Sequence, residues 1–276
     1  MKQGHPLFCM ILVFTLISST PFILAQEPQL SGYEPVVGQP GKDVVWVPTQ
    51  QELVEKMLEL AKVTPQDYLI DLGSGDGRTV ITAAKRGTRA LGIEYNPDMV
   101  ELSQKNALQQ GVTDKATFAK ADLFESDFSS ATVITMFLLP DINIRLRPKL
   151  LGLKPGTRIV SNSFTMEDWE ADGTVSLENG CATWCTAYLW IVPAKAEGKW
   201  KLPQGELALQ QKYQMVTGTL DLNGKSTPVI GKLTGSEISF TAGEAEYIGN
   251  VNGEKMSGRL KFGTDQSSWN ATLEKP

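Results

Sequence analysis

The spacing of hydrophobic residues changes several times along the chain and predicts where helices and strands begin. Apolar residues at helical spacing predict a first helix over residues 50–62, namely Leu53, Met57, Leu60 and Ala61. Thr49 and Glu52 have the spacing of a capping box at its start. Beyond it, short apolar runs alternate with helical stretches. Strands are predicted at 68–72, 90–94, 116–120, 131–139, 158–163 and 187–192, with helices near 78–85, 97–110 and 141–151.

Such an alternation predicts an α/β fold, a parallel sheet with helices on both faces. After about Lys195 the pattern changes to short alternating runs with no helical period. Asn223-Gly224 and Asn252-Gly253 are hairpin signals, because both central positions of a type I′ turn need a positive φ. We expect six or seven short strands there, forming a small antiparallel meander or barrel-like module.

The N-terminal segment has the features of a secretory signal. Lys2 precedes an apolar run from Leu7 to Ile17, and Ala25 provides a small residue before a cleavage point at Gln26. The run is shorter than the roughly 20 apolar residues of a membrane span, so no stable span is expected after cleavage. An uncleaved membrane anchor is the alternative. The charge asymmetry places the body across the membrane, secreted or periplasmic.

Together these patterns predict four parts of the chain. They are a signal peptide at 1–25, a linker or strap rich in Pro and Gly at 26–44, an α/β domain at 45–193, and a β-rich module at 194–276.

Charge and histidine content exclude several classes of function. The 276 residues include 26 basic and 31 acidic groups, and the single histidine, His5, lies in the predicted signal. Catalytic triads built on imidazole, the common His-ligated zinc sites and HExxH proteases are therefore excluded, and no metal is expected. The acidic balance also argues against nucleic acid as a partner.

Cys181 and Cys185 are the cysteines that remain after the predicted cleavage. In an extended strand they would be about 13 Å apart, too far for a disulfide. Two buried thiols are therefore predicted, although a turn between the cysteines would allow a bridge.

The most informative segment runs from Tyr68 to Arg78 and reads YLIDLGSGDGR. A predicted strand ends near Asp71, a loop of three glycines follows, and a helix begins directly after it. Glycines allow a tight turn and close approach to a ligand. Glu94 lies at the end of the second predicted strand, where a carboxylate can accept hydrogen bonds from a ribose.

The acids of the loop discriminate between nucleotide-like ligands. A dinucleotide loop has the spacing GxGxxG, whereas this one is GxGxG with Asp71 before it and Asp76 within it. Two carboxylates repel a diphosphate but suit a ligand that carries an ammonium and a sulfonium. S-adenosylmethionine is such a ligand.

Three motifs resemble those of class I S-adenosylmethionine-dependent methyltransferases over about residues 45–193: Asp71 to Gly77, Gly92 to Pro97, and Ala121 to Phe124. The resemblance implies a Rossmann-like methyltransferase sheet. It places Asp71, Gly73 and Gly75 around the methionine part, Glu94 on the ribose, and Asp122 with Leu123 beside the adenine. The cofactor contacts predicted in this way are Asp71, Gly73, Ser74, Gly75, Asp76, Gly77, Glu94, Tyr95, Asp122 and Leu123.

A narrower resemblance rests on Val47-Pro48-Thr49, DLGSGDGR, the Asn-Pro after Glu94, and Phe137 to Pro140 before a helix. These features are similar to those of a protein-lysine methyltransferase family whose members modify the c subunit of ATP synthase and adenine nucleotide translocase. The family resemblance covers the α/β domain only, and the predicted signal and β module depart from it.

Methyl transfer mainly requires that the enzyme position donor and acceptor and exclude water. We expect Phe137, Pro140 and Asp141 to line the acceptor pocket. Asp141 is a candidate base, with a helix N-terminal acid as the equal alternative. Trp169 and Trp184 are candidates for the same pocket, with core packing the favoured interpretation of both.

Two hypotheses of different classes follow. The first is a methyltransferase for a protein or small-molecule acceptor, with protein lysine as the specific candidate acceptor. The second is an exported binding protein that keeps the fold without turnover, since the donor is made in the cytosol.

Overall fold

The computed structural model describes Met1, Gly4 and residues 32–275. Apart from those two residues, the predicted signal at 1–25 lies outside the described residues, as does the linker as far as residue 31. None of the helices within the described part is long and apolar enough to cross a membrane.

The first half of the described chain forms a seven-stranded sheet with four helices. The helices are α1 Gln51–Leu60, α2 Arg78–Lys85, α3 Pro97–Gln109 and α4 Pro140–Leu151. The strands are β1 Tyr68–Leu72, β2 Arg89–Glu94, β3 Ala116–Lys120, β4 Val133–Met136, β5 Arg158–Asn162, β6 Gly173–Ser176 and β7 Thr186–Ile191. All six predicted strands and four predicted helices are present, and β6 was not predicted.

The strand order is β3-β2-β1-β4-β5-β7-β6, and it indicates which edge of the sheet can bind a ligand. Strands β1 to β5 are parallel, while β7 runs antiparallel to both β5 and β6. Strand β1 pairs with both β2 and β4, so the order reverses beside it. In sheets of this kind a ligand binds at the carboxyl ends of the strands, where the order reverses. Asp71 lies at that position.

The sheet is covered on both faces, which confirms the predicted α/β architecture. Buried residues of α1 and α2, such as Leu53 and Val80, belong to one hydrophobic cluster. Buried residues of α4, such as Leu146 and Leu150, belong to another, which also contains Trp169 and Trp190. Burial of these side chains is the main stabilising contribution to the domain.

The predicted capping box at the start of α1 is wrong. The N-cap residue is Gln50, and it makes no side-chain capping hydrogen bond. The hydroxyl of Thr49 is instead buried and accepts a hydrogen bond from the Asn162 amide at 3.1 Å. This contact with the end of β5 ties the start of α1 to the carboxyl edge of the sheet, and it outweighs the local capping preference.

The prediction of two buried thiols is also wrong. Cys181 and Cys185 form a disulfide, and their Cα atoms are 5.8 Å apart. The connection between β6 and β7 turns where the prediction assumed an extended strand, with Gly180 and Trp184 at φ +74° and +62°. The turn brings the two cysteines within the distance that a disulfide requires.

The second half of the described chain forms a closed antiparallel barrel. Its eight strands are β8 Gly198–Leu202, β9 Gly205–Lys212, β10 Met215–Leu222, β11 Lys225–Thr234, β12 Glu237–Ala242, β13 Ala245–Asn252, β14 Lys255–Phe262 and β15 Asp265–Leu273. Pairing of β15 with β8 closes the barrel. The predicted barrel-like module is thus confirmed, with one or two strands more than expected. Its interior is filled by side chains, including stacked Phe240 and Tyr247 with Trp269 against both rings.

One of the two predicted hairpin turns is shifted by a residue. Asn223 and Gly224 both have positive φ and form the predicted two-residue turn between β10 and β11. In the later hairpin Asn252 still pairs with Lys255, so the turn consists of Gly253 and Glu254. A glycine at the first central position is typical of the type II′ turn, which serves hairpins equally well.

The barrel packs against the sheet domain through a polar and aromatic contact. Tyr213, in the turn after β9, stacks on Trp169 with ring centroids 5.8 Å apart and donates a hydrogen bond to Asp168 at 2.9 Å. Arg147 of α4 also donates to Asp168, at 2.8 Å. The pKa of Asp168 is lowered to about 2 by hydrogen bonds from Tyr213, Lys212 and Arg147. Trp169 therefore belongs to the core at this interface and not to an acceptor pocket.

Candidate active site

The loop between β1 and α2 depends on its three glycines. Gly73, Gly75 and Gly77 have φ values of +76°, +54° and +82°, which other residues rarely adopt. Space is limited as well: a Cβ atom on Gly75 would lie 2.8 Å from the Trp46 indole nitrogen, and one on Gly77 would lie 2.7 Å from the Ser103 Cβ. Glycine is therefore favoured at these three positions, and it lets the loop backbone pass close to a ligand.

Asp71 is the buried acid of the site. It is 6% exposed, and its carboxylate accepts a hydrogen bond from the Thr135 hydroxyl of β4 at 2.6 Å. The pKa of Asp71 is raised to about 7, mainly by burial and further by the charges of Glu94 and Asp76, although the Thr135 hydrogen bond lowers it. A buried carboxylate has lost its hydration, so a cation that binds beside it stabilises its charged form.

Glu94 is fixed at the end of β2 by two backbone amides. One carboxylate oxygen accepts from the Gly75 amide at 3.0 Å and the other from the Asn96 amide at 2.9 Å. Asn96 in turn caps α3 by accepting from the Asp98 amide. Glu94 therefore orders the glycine loop and keeps an oriented carboxylate beside it, as a ribose-binding acid requires.

Asp76 differs from Asp71, although both were predicted to suit a cationic cofactor. The Asp76 carboxylate accepts hydrogen bonds from the Arg78 guanidinium at 2.5 to 3.2 Å. Arg78 also donates to the Thr49 carbonyl at 2.7 Å. Asp76 lines the main cavity, but its charge is balanced by Arg78, so Asp71 and Glu94 supply the unbalanced negative charge.

A hairpin strap, residues 36–48, covers the loop. Within it, the Gly38 amide donates a backbone hydrogen bond to the Trp46 carbonyl at 2.8 Å, and Pro40 bridges to Val45. The strap and the glycine loop both line one cavity. Sequence reasoning predicted a linker or strap here but assigned no chemistry to Lys42 or Trp46.

A smaller pocket adjoins the main cavity and contains Asp122 and Leu123, which were predicted beside the adenine, and the predicted cofactor contact Tyr95. Tyr95, Asp122 and Leu123 line it together with Lys42 of the strap. The Lys42 ammonium contacts the Asp122 carboxylate and lies 4.7 Å from the centre of the Tyr95 ring. The hydrogen bond from Lys42 lowers the pKa of Asp122. The strap is thus joined to the sheet at this pocket.

Besides Trp46 of the strap, three aromatic side chains line the main cavity and not the smaller pocket, and they are called here the aromatic mouth: Phe137, Phe164 and Trp184. The three ring centroids lie 5.2 to 6.0 Å from one another. Phe137 was predicted for this pocket, whereas Phe164, just beyond β5, was missed. Its position after a short apolar strand was the available signal.

Pro140 and Asp141 do not line either of these pockets and are exposed, which corrects their assignment to the acceptor pocket. Pro140 is the first residue of α4 and Asp141 lies in its first turn, so both belong to the helix start. Leu138 and Leu139 line the cavity in their place. Asp141 therefore has the helix-terminal role that was the alternative interpretation.

The residues present fit S-adenosylmethionine. Asp71 offers a desolvated carboxylate for a cationic group, and the Ser74 hydroxyl is buried in the same loop without a hydrogen-bond partner among the described residues. Glu94 offers carboxylate oxygens for a ribose. The smaller pocket, lined by Tyr95, offers apolar and aromatic surface for an adenine. Asp71, Ser74, Gly75 and Glu94 would hold the cofactor.

Comparisons with known proteins agree with this site. Residues 71–173 match the family model for the ANTKMT methyltransferase domain. A protein-lysine N-methyltransferase of Saccharolobus islandicus is 43% identical over 54% of this chain and 94% of its own length. The chain belongs to the S-adenosylmethionine-dependent methyltransferases. The family match ends at residue 173, before the barrel.

Two further relatives differ in what their names say they modify. An adenine nucleotide translocase lysine N-methyltransferase of Mus musculus is 33% identical over 46% of this chain, and the match spans about half of that relative, 56%. A solved RNA methyltransferase from Salinibacter ruber, in complex with S-adenosyl-L-homocysteine, is 49% identical over 54% of this chain and 96% of its own, with a TM-score of 0.51. The predicted methyltransferase is confirmed, and nothing in these comparisons supports the non-catalytic alternative.

The two amide contacts of Glu94 lead to a prediction for cofactor binding. Glu94→Gln leaves one oxygen for two backbone N–H donors and removes the charge, so we expect affinity for S-adenosylmethionine to fall about tenfold. Calorimetric titration measures this loss. Glu101→Gln, an exposed site on α3, is the matched control. Equal affinities for the two variants would contradict the ribose-binding role of Glu94.

Proposed function

We propose that this protein is a protein-lysine N-methyltransferase. The observation that carries the proposal is the aromatic mouth, in which three rings line the cofactor cavity and one of them, Trp184, is exposed to solvent. An amine on a long apolar stem fits such an opening, because rings attract a cationic nitrogen and pack against its methylenes. The names of the relatives from Saccharolobus islandicus and Mus musculus support the same acceptor.

When bound, S-adenosylmethionine would supply an electrophilic methyl group on its sulfonium and would leave as neutral S-adenosylhomocysteine. Asp71 and Glu94 orient the donor, and the strap with Trp46 excludes water from it. Positive charge develops on the acceptor nitrogen during transfer, and the rings of Phe137, Phe164 and Trp184 stabilise it. Neither histidine nor tyrosine is among the described residues that line the main cavity. The carboxylates of this lining are Asp71 and Glu94, which face the donor, and Asp76, which is paired with Arg78. We therefore assign the proton acceptor to water at the exposed mouth, where the ammonium group binds before it loses its proton.

RNA is the second candidate acceptor, because a relative 49% identical to this chain is named as an RNA methyltransferase. Two features of the chain favour lysine. Its formal net charge is −5, whereas binding to phosphate requires a basic surface. The motif after β4 is Phe137-Leu138-Leu139-Pro140, which lacks the Asn/Asp-Pro-Pro-aromatic pattern of enzymes that methylate base amines.

One assay distinguishes the two acceptors. The full chain is incubated with labelled S-adenosylmethionine and either a panel of small lysine-rich proteins or total ribosomal and transfer RNA. We expect label in the proteins, recovered as methyllysine after acid hydrolysis, and none in proteins whose lysines were first blocked by acetylation. Label in RNA alone, or label that survives acetylation, would overturn the proposal.

We also propose that the protein is exported. The predicted signal at 1–25 supports this location, and so does the Cys181–Cys185 disulfide, since such bonds persist in oxidising compartments. Fractionation of tagged protein with N-terminal sequencing tests it. Export predicts recovery outside the cytosol beginning near Gln26, or in the membrane if the signal is retained. Recovery in the cytosol with residue 2 intact would contradict it.

A further inference from the structure

The segment that supplies Trp184 to the aromatic mouth is a five-residue loop closed by a disulfide. It reads Cys181-Ala-Thr-Trp-Cys185 and connects β6 with β7. The Gln50 amide at the start of α1 contacts the Cys181 sulfur at 3.2 Å. The loop is thus fixed both by its own covalent bond and by the helix beside the cavity.

Trp184 has an unfavourable conformation for a tryptophan. Its φ is +62°, in the left-handed region that bulky residues rarely adopt, and the residue is 43% exposed. Such strain persists only where surrounding structure enforces it, and it is concentrated at functional sites. Here the disulfide enforces the backbone, and the side chain is directed at Phe137 and Phe164, at 5.8 and 5.2 Å between ring centroids.

We propose that the disulfide-closed loop positions Trp184 as the specificity-determining wall of the acceptor mouth, where it selects a cationic amine. This inference rests on the proposed lysine activity, since it assigns the acceptor end of the same cavity. The spacing of the three rings allows one cation to lie within about 6 Å of more than one of them, the range of a cation–π interaction. Phe137 follows β4 directly and Phe164 lies two residues beyond the end of β5, so Trp184 is the one ring of the mouth whose position depends on the disulfide.

A binding assay without turnover tests the loop separately from the lysine activity. The probes are the methylamide of acetyl-trimethyllysine and a neutral analogue with carbon in place of the quaternary nitrogen, each titrated in the presence of S-adenosylhomocysteine. We expect the full chain to prefer the charged probe at least fivefold. Trp184→Ala reduces the preference below twofold, and Trp184→Phe retains most of it. Phe262→Ala, an exposed aromatic of the barrel, leaves it unchanged.

The role of the disulfide is tested by a double-mutant cycle. Cys181→Ser with Cys185→Ser weakens binding of the charged probe at least threefold, yet adds nothing to Trp184→Ala if the bond acts through that ring. Affinity for S-adenosylhomocysteine stays within twofold in every variant, which also verifies folding. Equal preference for the two probes in the unmodified chain would overturn the inference. So would full additivity of the cysteine and tryptophan substitutions.

Trp184→Ala and Trp184→Phe retain the disulfide, so the test remains decisive where the serine variants do not fold. The outcomes also separate this inference from the proposed function. A chain that prefers the charged probe but transfers no methyl group to lysine overturns the function alone. A chain that methylates lysine but binds both probes equally overturns the role of Trp184 alone.

Discussion

Asp71→Asn should weaken binding of S-adenosylmethionine 100-fold or more. The Asp71 carboxylate is buried at the point where the strand order reverses, and the amide replaces a desolvated negative charge by a neutral group of the same shape. Loss of one partner from a buried charge pair costs about 2 to 5 kcal/mol. Calorimetric titration at pH 8, where Asp71 is ionised, measures the loss directly.

The matched control is Asp76→Asn, the same substitution at the second acid of the Asp71 to Gly77 segment. Arg78 already balances the Asp76 charge, so we expect a loss of less than tenfold there. The free energy of unfolding of the variant distinguishes a loss of binding from misfolding. Because burial disfavours the Asp71 charge in the free protein, Asp71→Asn should increase the free energy of unfolding at pH 8. Equal losses of affinity in the two variants, or destabilisation by Asp71→Asn, would contradict this account.

Local patterns determined most of what the sequence predicted correctly. The boundaries of β1, α2 and β3 were predicted to the residue, since apolar runs and glycine turns mark them without tertiary information. The glycine loop and Glu94 were identified because their backbone geometry restricts which residues are tolerated. Strand β6 was missed because its four residues, Gly173 to Ser176, are mostly polar and half exposed.

Contacts between distant segments account for most of the features that the sequence did not predict correctly. Thr49 bonds with Asn162, 113 residues away, and this long-range contact replaced the expected capping box. Asp76 and Asp71 have the same chemistry in the sequence, but Asp76 pairs with Arg78, two residues away, and the contact of Arg78 with the Thr49 carbonyl, 29 residues away, comes from the fold. Trp169 and Trp184 were indistinguishable as residue types. The barrel covers the first of them, and the disulfide turn exposes the second.

The raised pKa of Asp71 also predicts that cofactor affinity depends on pH. The folded-state pKa is about 7, against a usual value of 3.8, so the free protein holds a proton on Asp71 in weakly acidic solution. A cationic cofactor binds the ionised carboxylate, and binding below pH 7 must release that proton. Affinity should therefore be constant above about pH 7.5 and fall up to tenfold for each pH unit below 7. The dissociation constant at pH 5.5 should be about 30-fold higher than at pH 8.

Titration in two buffers of different ionisation enthalpy counts the released protons. At pH 6 we expect close to one proton released per cofactor bound by the unmodified chain, and none by Asp71→Asn, which has no carboxyl group to titrate. Glu94→Gln provides the second comparison, because removing the neighbouring charge lowers the pKa of Asp71 and moves the affinity change to lower pH. A pH dependence that is unchanged in Asp71→Asn would assign the titration to another group. The negative charge that favours a sulfonium cofactor thus also sets the lower limit of the pH range in which the site binds it.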